Sequence, residues 1–137
     1  MTLLEKLNAE DRFAAEAGIR LTAVSQGKAT AVMEVGKGHL NGAGVCQGGA
    51  VFTLADLAMA AAANSHGRLS LSLGGNIVFH NPATEGDVLL ADASEVVSGG
   101  RIAYVEVRVA KADGTHVATL TSTAYRKAAM MDFCGLM

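Results

Sequence analysis

A single carboxylate, Asp56, stands in the run Gly48-Gly49-Ala50-Val51-Phe52-Thr53-Leu54-Ala55-Asp56-Leu57-Ala58-Met59-Ala60-Ala61-Ala62-Ala63-Asn64, whose other residues carry no charge. The run is rich in strong helix formers and has apolar residues on every side, so it predicts one central, buried helix. Three and four positions from Asp56 along that helix lie Thr53, Phe52, Met59 and Ala60, none of which neutralises a carboxylate. An unpaired buried charge is costly. Either a cation from elsewhere pairs with Asp56, or the side chain lines a wet functional cleft, a setting in which acids act as bases or nucleophiles.

Just upstream, Gly42-Ala43-Gly44-Val45-Cys46-Gln47-Gly48-Gly49 is glycine-rich without the spacing of a dinucleotide-binding loop. It places Gly48 and Gly49 at a helix start, where first-turn N–H groups have no intrahelical partner and the helix dipole adds partial positive charge. Such a site suits a polarised carbonyl oxygen or an oxyanion, although glycines here also serve a plain tight turn. Asn41 is placed either to donate its amide to the same oxygen or to shape the turn. Cys46 has no neighbouring base and reads as a small packed thiol, and His39, His66, His80 and His116 fall at no metal-ligand spacing. Arg101, Arg126 and Lys127 gather at one strand end, which suits an anion between them or a solvated terminus.

The elements that must position these groups follow from periodicity. Leu4, Leu7, Phe13, Ala14 and Ala17 predict a helix over about 3–17 that stops at Gly18. Strands follow at 19–25 and 28–35, then a glycine-punctuated loop, then the long helix ending near His66-Gly67. From Leu69 onward the pattern is all strand, at 71–80, at 87–97 and in a last hairpin around Asp113-Gly114. Pairing outward from that turn sets Val109, Val107, Val105 and Ala103 against Ala118, Leu120, Ser122 and Ala124 on one nearly apolar face. The other face pairs Arg108, Glu106, Tyr104 and Ile102 with Thr119, Thr121, Thr123 and Tyr125. For the hairpin at Gly99-Gly100 two registers remain, one turning Asp92 inward and a bulged one turning Glu95 inward. The fold class is α+β, a curved antiparallel sheet wrapping one long helix.

With 137 residues, half of them apolar, the chain suits one globular domain over 1–137. A net charge of -2 gives no basic surface for nucleic acid, and the longest apolar run, interrupted by Asp56, is no membrane span. Two widely separated cysteines and a start without signal-peptide character point to the cytoplasm.

The residues that carry chemistry also carry a family resemblance. Leu40-Asn41-Gly42 through Gln47-Gly48-Gly49, Leu54-Ala55-Asp56, Ala63-Asn64-Ser65, Asn81-Pro82-Ala83 and Gly86-Asp87 resemble the hotdog-fold thioesterases of the PaaI type, over about Gly18 to Lys127. The family usually has His where this chain has Gln47, although Gln occurs at this place in other hotdog thioesterases, and the tail 128–137 matches nothing in it. The resemblance implies hydrolysis of acyl-CoA thioesters, often of phenylacetyl-CoA or its hydroxylated relatives, without metal or redox cofactor, coenzyme A being part of the substrate. It makes the Gly48 N–H the oxyanion donor with Asn41 as helper, Asp56 the general base or nucleophile, Ser72 the holder of the attacking water and Gln47 a stabiliser of the loop. Gly49, Arg101, Arg126 and Lys127 become substrate-binding residues. Alternatives are a non-catalytic acyl-CoA binding module and a hotdog hydratase or dehydratase. The absence of any histidine in the long helix before His66 argues against the second.

Spacing adds an argument of its own. Eight residues at about 1.5 Å each separate Gly48 from Asp56 by roughly 12 Å, too far for an oxyanion donor and a base to meet at one carbonyl. Two helices about a two-fold axis can bring them together, so a homodimer, and from it a homotetramer, is expected.

Overall fold

Small side chains set how closely the layers approach. Ala55, Ala58 and Ala62 are completely buried on α3 (Gly48–Asn64), where they leave room for a sheet to lie directly against the helix. The computed structural model describes residues Met1–Met137. Its six strands are β1 (Ile19–Ser25), β2 (Lys28–Glu34), β3 (Arg68–Phe79), β4 (Val88–Ser98), β5 (Ile102–Lys111) and β6 (His116–Met130). They form one antiparallel sheet in the order β1-β2-β4-β5-β6-β3. Alternate residues Leu89, Ala91 and Ala93 of β4, Val105, Val107 and Val109 of β5, and Ala118, Leu120 and Ala124 of β6 turn inward and are buried against α3. No helix is long and apolar enough to cross a membrane.

The β5–β6 register is the one expected from Ile102–Tyr125 through Val109–Ala118. Nearer the turn it slips by one residue, pairing Ala110 with His116, because Lys111 and Thr115 close a longer loop in which Gly114 takes φ +94°. The open question at Gly99-Gly100 resolves as a bulge between Glu95 and Val97, which turns Glu95 inward. The strand expected at 71–80 begins earlier, at Arg68. Asn64 explains this: its Oδ1 accepts from the Ser70 N–H at 2.8 Å and its Nδ2 donates to Ser70 O at 3.1 Å, tying the helix end to the strand start.

The expected helix over 3–17 is two helices, α1 (Leu3–Glu10) and α2 (Arg12–Glu16). Asp11 divides them. Its backbone N–H closes α1 on Leu7 O at 3.0 Å, while its Oδ1 accepts from Ala14 N–H at 3.2 Å and caps α2. The tail, after extending β6 to Met130, folds back so that Leu3 N–H and Leu4 N–H donate to Gly135 O and Leu136 O.

Arg126 continues the inward series of β6, and its side chain is buried with that of Glu95. Its Nη2 donates to Glu95 Oε1 and its Nη1 to Gly99 O, both at 2.8 Å, while His66 Nε2 lies 2.8 Å from Glu95 Oε2. Removing one member of such a pair strands the other charge. Arg126→Met is therefore expected to cost about 3–5 kcal/mol in urea unfolding, and the double variant with Glu95→Gln distinctly less. Wild-type stability in Arg126→Met alone would show that the pair does not hold the sheet.

Candidate active site

The loop before α3 carries the first group of candidate residues. Asn41 N–H donates to Val45 O at 2.8 Å, Gly44 N–H to Asn41 O at 3.0 Å and Cys46 N–H to Ala83 O at 2.7 Å, with Gly44 at φ +79°. Gln47 N–H donates to His39 O at 2.7 Å, and Gln47 O receives the N–H groups of Ala50 and Val51. Gly48 and Gly49 N–H are left without an acceptor at the positive end of the helix dipole. A Cβ on Gly48 would lie 2.9 Å from Phe79 Cζ, so glycine lets that ring close over the helix start.

Asn41 shapes the turn, one of the two roles expected of it. Its Oδ1 accepts from Ala43 N–H at 2.9 Å and Val45 N–H at 3.2 Å, which fixes the turn and orients the amide, and its Nδ2 is left free. Asn41 and Gly48 share a cavity of about 430 Å³ with Phe79, His80 and Asn81. Two unengaged donors on residues lining one cavity suit the oxygen of a carbonyl that gains negative charge. Gln47 contributes its backbone to the loop, while its side chain is exposed and makes no capping bond.

The carboxylate half lies elsewhere on the helix. Asp56 is half-buried rather than enclosed, because α3 keeps one uncovered stripe along Gly49, Phe52 and Asp56. No cation of the chain pairs with it, and no donor bonds it. Burial pushes its carboxyl above the ordinary aspartate range, and the negative charge of Asp11 adds to the shift. Ser72 lies on the inner face of β3, opposite Ala124. Ser122 Oγ donates to Gly74 O at 3.0 Å, so the Ser72 hydroxyl donates to Ser122 Oγ at 3.3 Å and keeps its own lone pairs open. Asp56 does not line the cavity that holds Asn41 and Gly48.

Arg126 requires a correction as a substrate-binding residue. Its guanidinium is spent on Glu95 and Gly99 beneath the sheet, because strand alternation turns position 126 inward with 120, 122 and 124, whereas Arg101 and Lys127 remain exposed. Cys46 is buried, and desolvation raises its thiol pKa, which suits a packed thiol. His39 spends both ring nitrogens, accepting from Gly36 N–H at 2.9 Å and donating to Ala17 O at 2.6 Å. His80 and Asn81, to which the sequence assigned no catalytic or binding role, line the cavity beside Asn41. Their placement follows from β3 running to Phe79, a signal the short strand pattern before Pro82 already contained.

This arrangement agrees with what the chain resembles. Residues 43–118 match the family model described as the thioesterase superfamily. A protein of Archaeoglobus fulgidus named for esterase activity is 41% identical over 107 residues, covering 78% of this chain and 70% of that protein. Acyl-coenzyme A thioesterase PaaI of Escherichia coli is 31% identical over 116 residues, covering 85% and 83%. The solved E. coli PaaI structure, from the phenylacetic acid degradation operon, superposes with TM-score 0.90 at 28% identity over 93% of each chain. A Streptococcus mutans protein solved bound to acetyl CoA superposes with TM-score 0.79 at 26% identity, covering 82% of this chain and 91% of that one. With the helix-wrapping antiparallel sheet and the donor-lined helix start, these matches establish that the chain belongs to the thioesterase superfamily, as a PaaI-type hotdog thioesterase.

Proposed function

We propose that this enzyme hydrolyses acyl-CoA thioesters, arylacyl thioesters such as phenylacetyl-CoA among them, to the free acid and CoA. The observation that carries the reading is Asp56, a half-buried carboxylate that burial makes more basic and that no group of its own chain engages. A pure acyl-CoA binder gains nothing from a costly unpartnered acid. The Gly48 N–H and the Asn41 amide polarise the thioester carbonyl, Ser72 holds a water, and Asp56 takes its proton as the oxygen attacks. The tetrahedral oxyanion collapses, the C–S bond breaks, and the proton on Asp56 returns to the departing sulfur. Acid and thiol leave, and no metal or redox cofactor enters the scheme.

The shared site is part of this proposal. Roughly 12 Å of helix separates the two halves, so Gly48 and Asn41 of one subunit act with Asp56 and Ser72 of another. The sheet supports such a dimer. β3 is an edge strand of twelve residues with Leu71, Leu73, Val78 and Phe79 exposed, an open template for a second copy. Val96, Val97 and Tyr104 form a further apolar patch on the sheet, which favours association of dimers into a tetramer. Both cysteines are free, in keeping with a cytoplasmic enzyme.

Asp56→Asn is expected to lower kcat by about 10²–10⁴-fold in a free-thiol release assay. Because burial raises the folded-state pKa of Asp56, its ionisation opposes folding once the pH exceeds the unfolded value, so the same variant is expected to melt at a higher temperature at neutral pH. Retention of more than a tenth of wild-type turnover would make Asp56 structural. For wild type, the acid limb of kcat/KM is expected to fall above the pH of an ordinary aspartate.

Arg101 and Lys127, exposed at one end of the sheet, suit the phosphates of CoA. Their double alanine variant is expected to raise KM more than it lowers kcat, since phosphate contacts hold ground and transition states alike. An unchanged KM at moderate salt would remove both from the site.

A further inference from the structure

Two arginines near the Gly99-Gly100 turn have opposite surroundings. Arg101 is exposed and pairs with no carboxylate, whereas Arg126 is buried against Glu95 and Gly99. We propose that Arg126 is a positioning residue for CoA binding: from the buried side of the sheet it holds the turn that carries Arg101, and so fixes that cation for the phosphates of the substrate. This rests on the reading of Arg101 as a phosphate ligand and adds what keeps it in place.

Arg126 grips both sides of the turn. Its backbone N–H donates to Arg101 O at 2.7 Å and its Nη1 donates to Gly99 O at 2.8 Å, while Gly99 N–H closes the turn on Ile102 O at 3.0 Å. Little else holds these residues. Every residue from Val96 to Arg101 is exposed, so no side chain of the turn is anchored in the core. Gly99 lets the turn close tightly, since a Cβ there would lie 3.1 Å from Ile102 O. The direction in which the closed turn points is left to Arg126.

The guanidinium that does this is itself fixed. Its Nη2 donates to Glu95 Oε1 at 2.8 Å, Glu95 Oε2 lies 2.8 Å from His66 Nε2, and the Glu95 N–H donates to Gly27 O at 2.9 Å. The side chains of Arg126 and Glu95 are each 7% exposed. Through them the turn is tied to the residues that follow α3 and to the β1–β2 connection. On the outer side Arg101 has one bond of its own, from Nη1 to Tyr125 Oη at 3.4 Å, which leaves its other donors open to an anion. A cation held this way loses less freedom on meeting a phosphate than one on a loose turn, and the difference appears as affinity. Lysine at position 126 keeps the charge opposite Glu95 and lacks the planar fork that serves Glu95 and Gly99 at once.

The test compares an acyl-CoA with the same acyl-pantetheine, which lacks the nucleotide and its phosphates, and reads the ratio of their kcat/KM values. Arg101→Ala is expected to lower this ratio about three- to tenfold and Arg126→Lys by a similar factor. The two combined are expected to fall no more than about twofold below either alone, because both remove the same contact. Glu95→Gln with Arg126→Met, which strands neither charge, is expected to behave like Arg126→Lys and decides the matter should the lysine variant not fold. A purely structural Arg126 lowers turnover of both esters together and leaves the ratio at its wild-type value; that result, or full additivity of Arg101→Ala and Arg126→Lys, overturns the proposal while the phosphate reading of Arg101 stands. If Arg101→Ala itself leaves the ratio unchanged, the phosphate reading fails and the positioning role falls with it. If no CoA ester is turned over, the ratio is read instead from the affinities for CoA and pantetheine by calorimetric titration. A ratio that then responds to Arg101→Ala and Arg126→Lys alike supports the positioning role while the hydrolytic reading fails, and one that ignores Arg126→Lys overturns it.

Discussion

One distance along α3 constrains the whole site. The free N–H of Gly48 is at the helix start, and the carboxylate of Asp56 is eight residues further on, roughly 12 Å away. A straight helix held along its length by buried alanines, Leu54 and Leu57 has no means of shortening that gap. The two groups that the proposal assigns to catalysis also look in different directions: Gly48 opens into the cavity shared with Asn41, and Asp56 lies on the uncovered stripe with Gly49 and Phe52. Chemistry at one carbonyl therefore draws the proposal toward two helices rather than one.

The rest of the fold serves to make that helix rigid at both ends. At the start, hydrogen bonds that link Asn41, Gly44, Val45, Cys46 and Gln47 to one another and to His39 and Ala83 fix the loop before the open N–H groups. At the end, Asn64 binds the Ser70 backbone and Ser65 Oγ accepts from the Gly27 N–H at 2.7 Å, pinning the β1–β2 turn over the last helical residues. Beyond them the Glu95–Arg126–His66 cluster ties β4 and β6 to the turn after α3. The cost of these buried polar groups is offset by near-complete pairing, with only Arg126 Nε left without a partner.

Much of this was legible in the sequence, and the failures have identifiable causes. The β5–β6 register could be read because a two-residue alternation over Ala103–Val109 has one solution that keeps valines and alanines on one face. The same alternation, carried two residues past Ala124, turns Arg126 inward toward Glu95. Counting Arg126 as a surface cation ignored that parity. The single helix over 3–17 was wrong because Asp11 can end one helix and begin another, and apolar spacing alone does not register a cap. The uncovered stripe on α3 was hidden by composition: Gly49, Phe52 and Ala60 look apolar in a row of apolar residues, and only the packed sheet distinguishes which side it covers.

The claim that one site draws on two chains is tested most directly by complementation. Asp56→Ala and Asn41→Ala, each expected to be nearly inactive, are refolded together in equal amounts, with subunit exchange verified by mass-tagged chains. Random mixing makes about half the dimers mixed, and each mixed dimer holds one site with both residues intact and one with neither. Thiol release from an acyl-CoA substrate is then predicted to recover to about a quarter of the wild-type rate. Recovery no greater than the sum of the parents' residual rates, with exchange complete, would contradict the shared site.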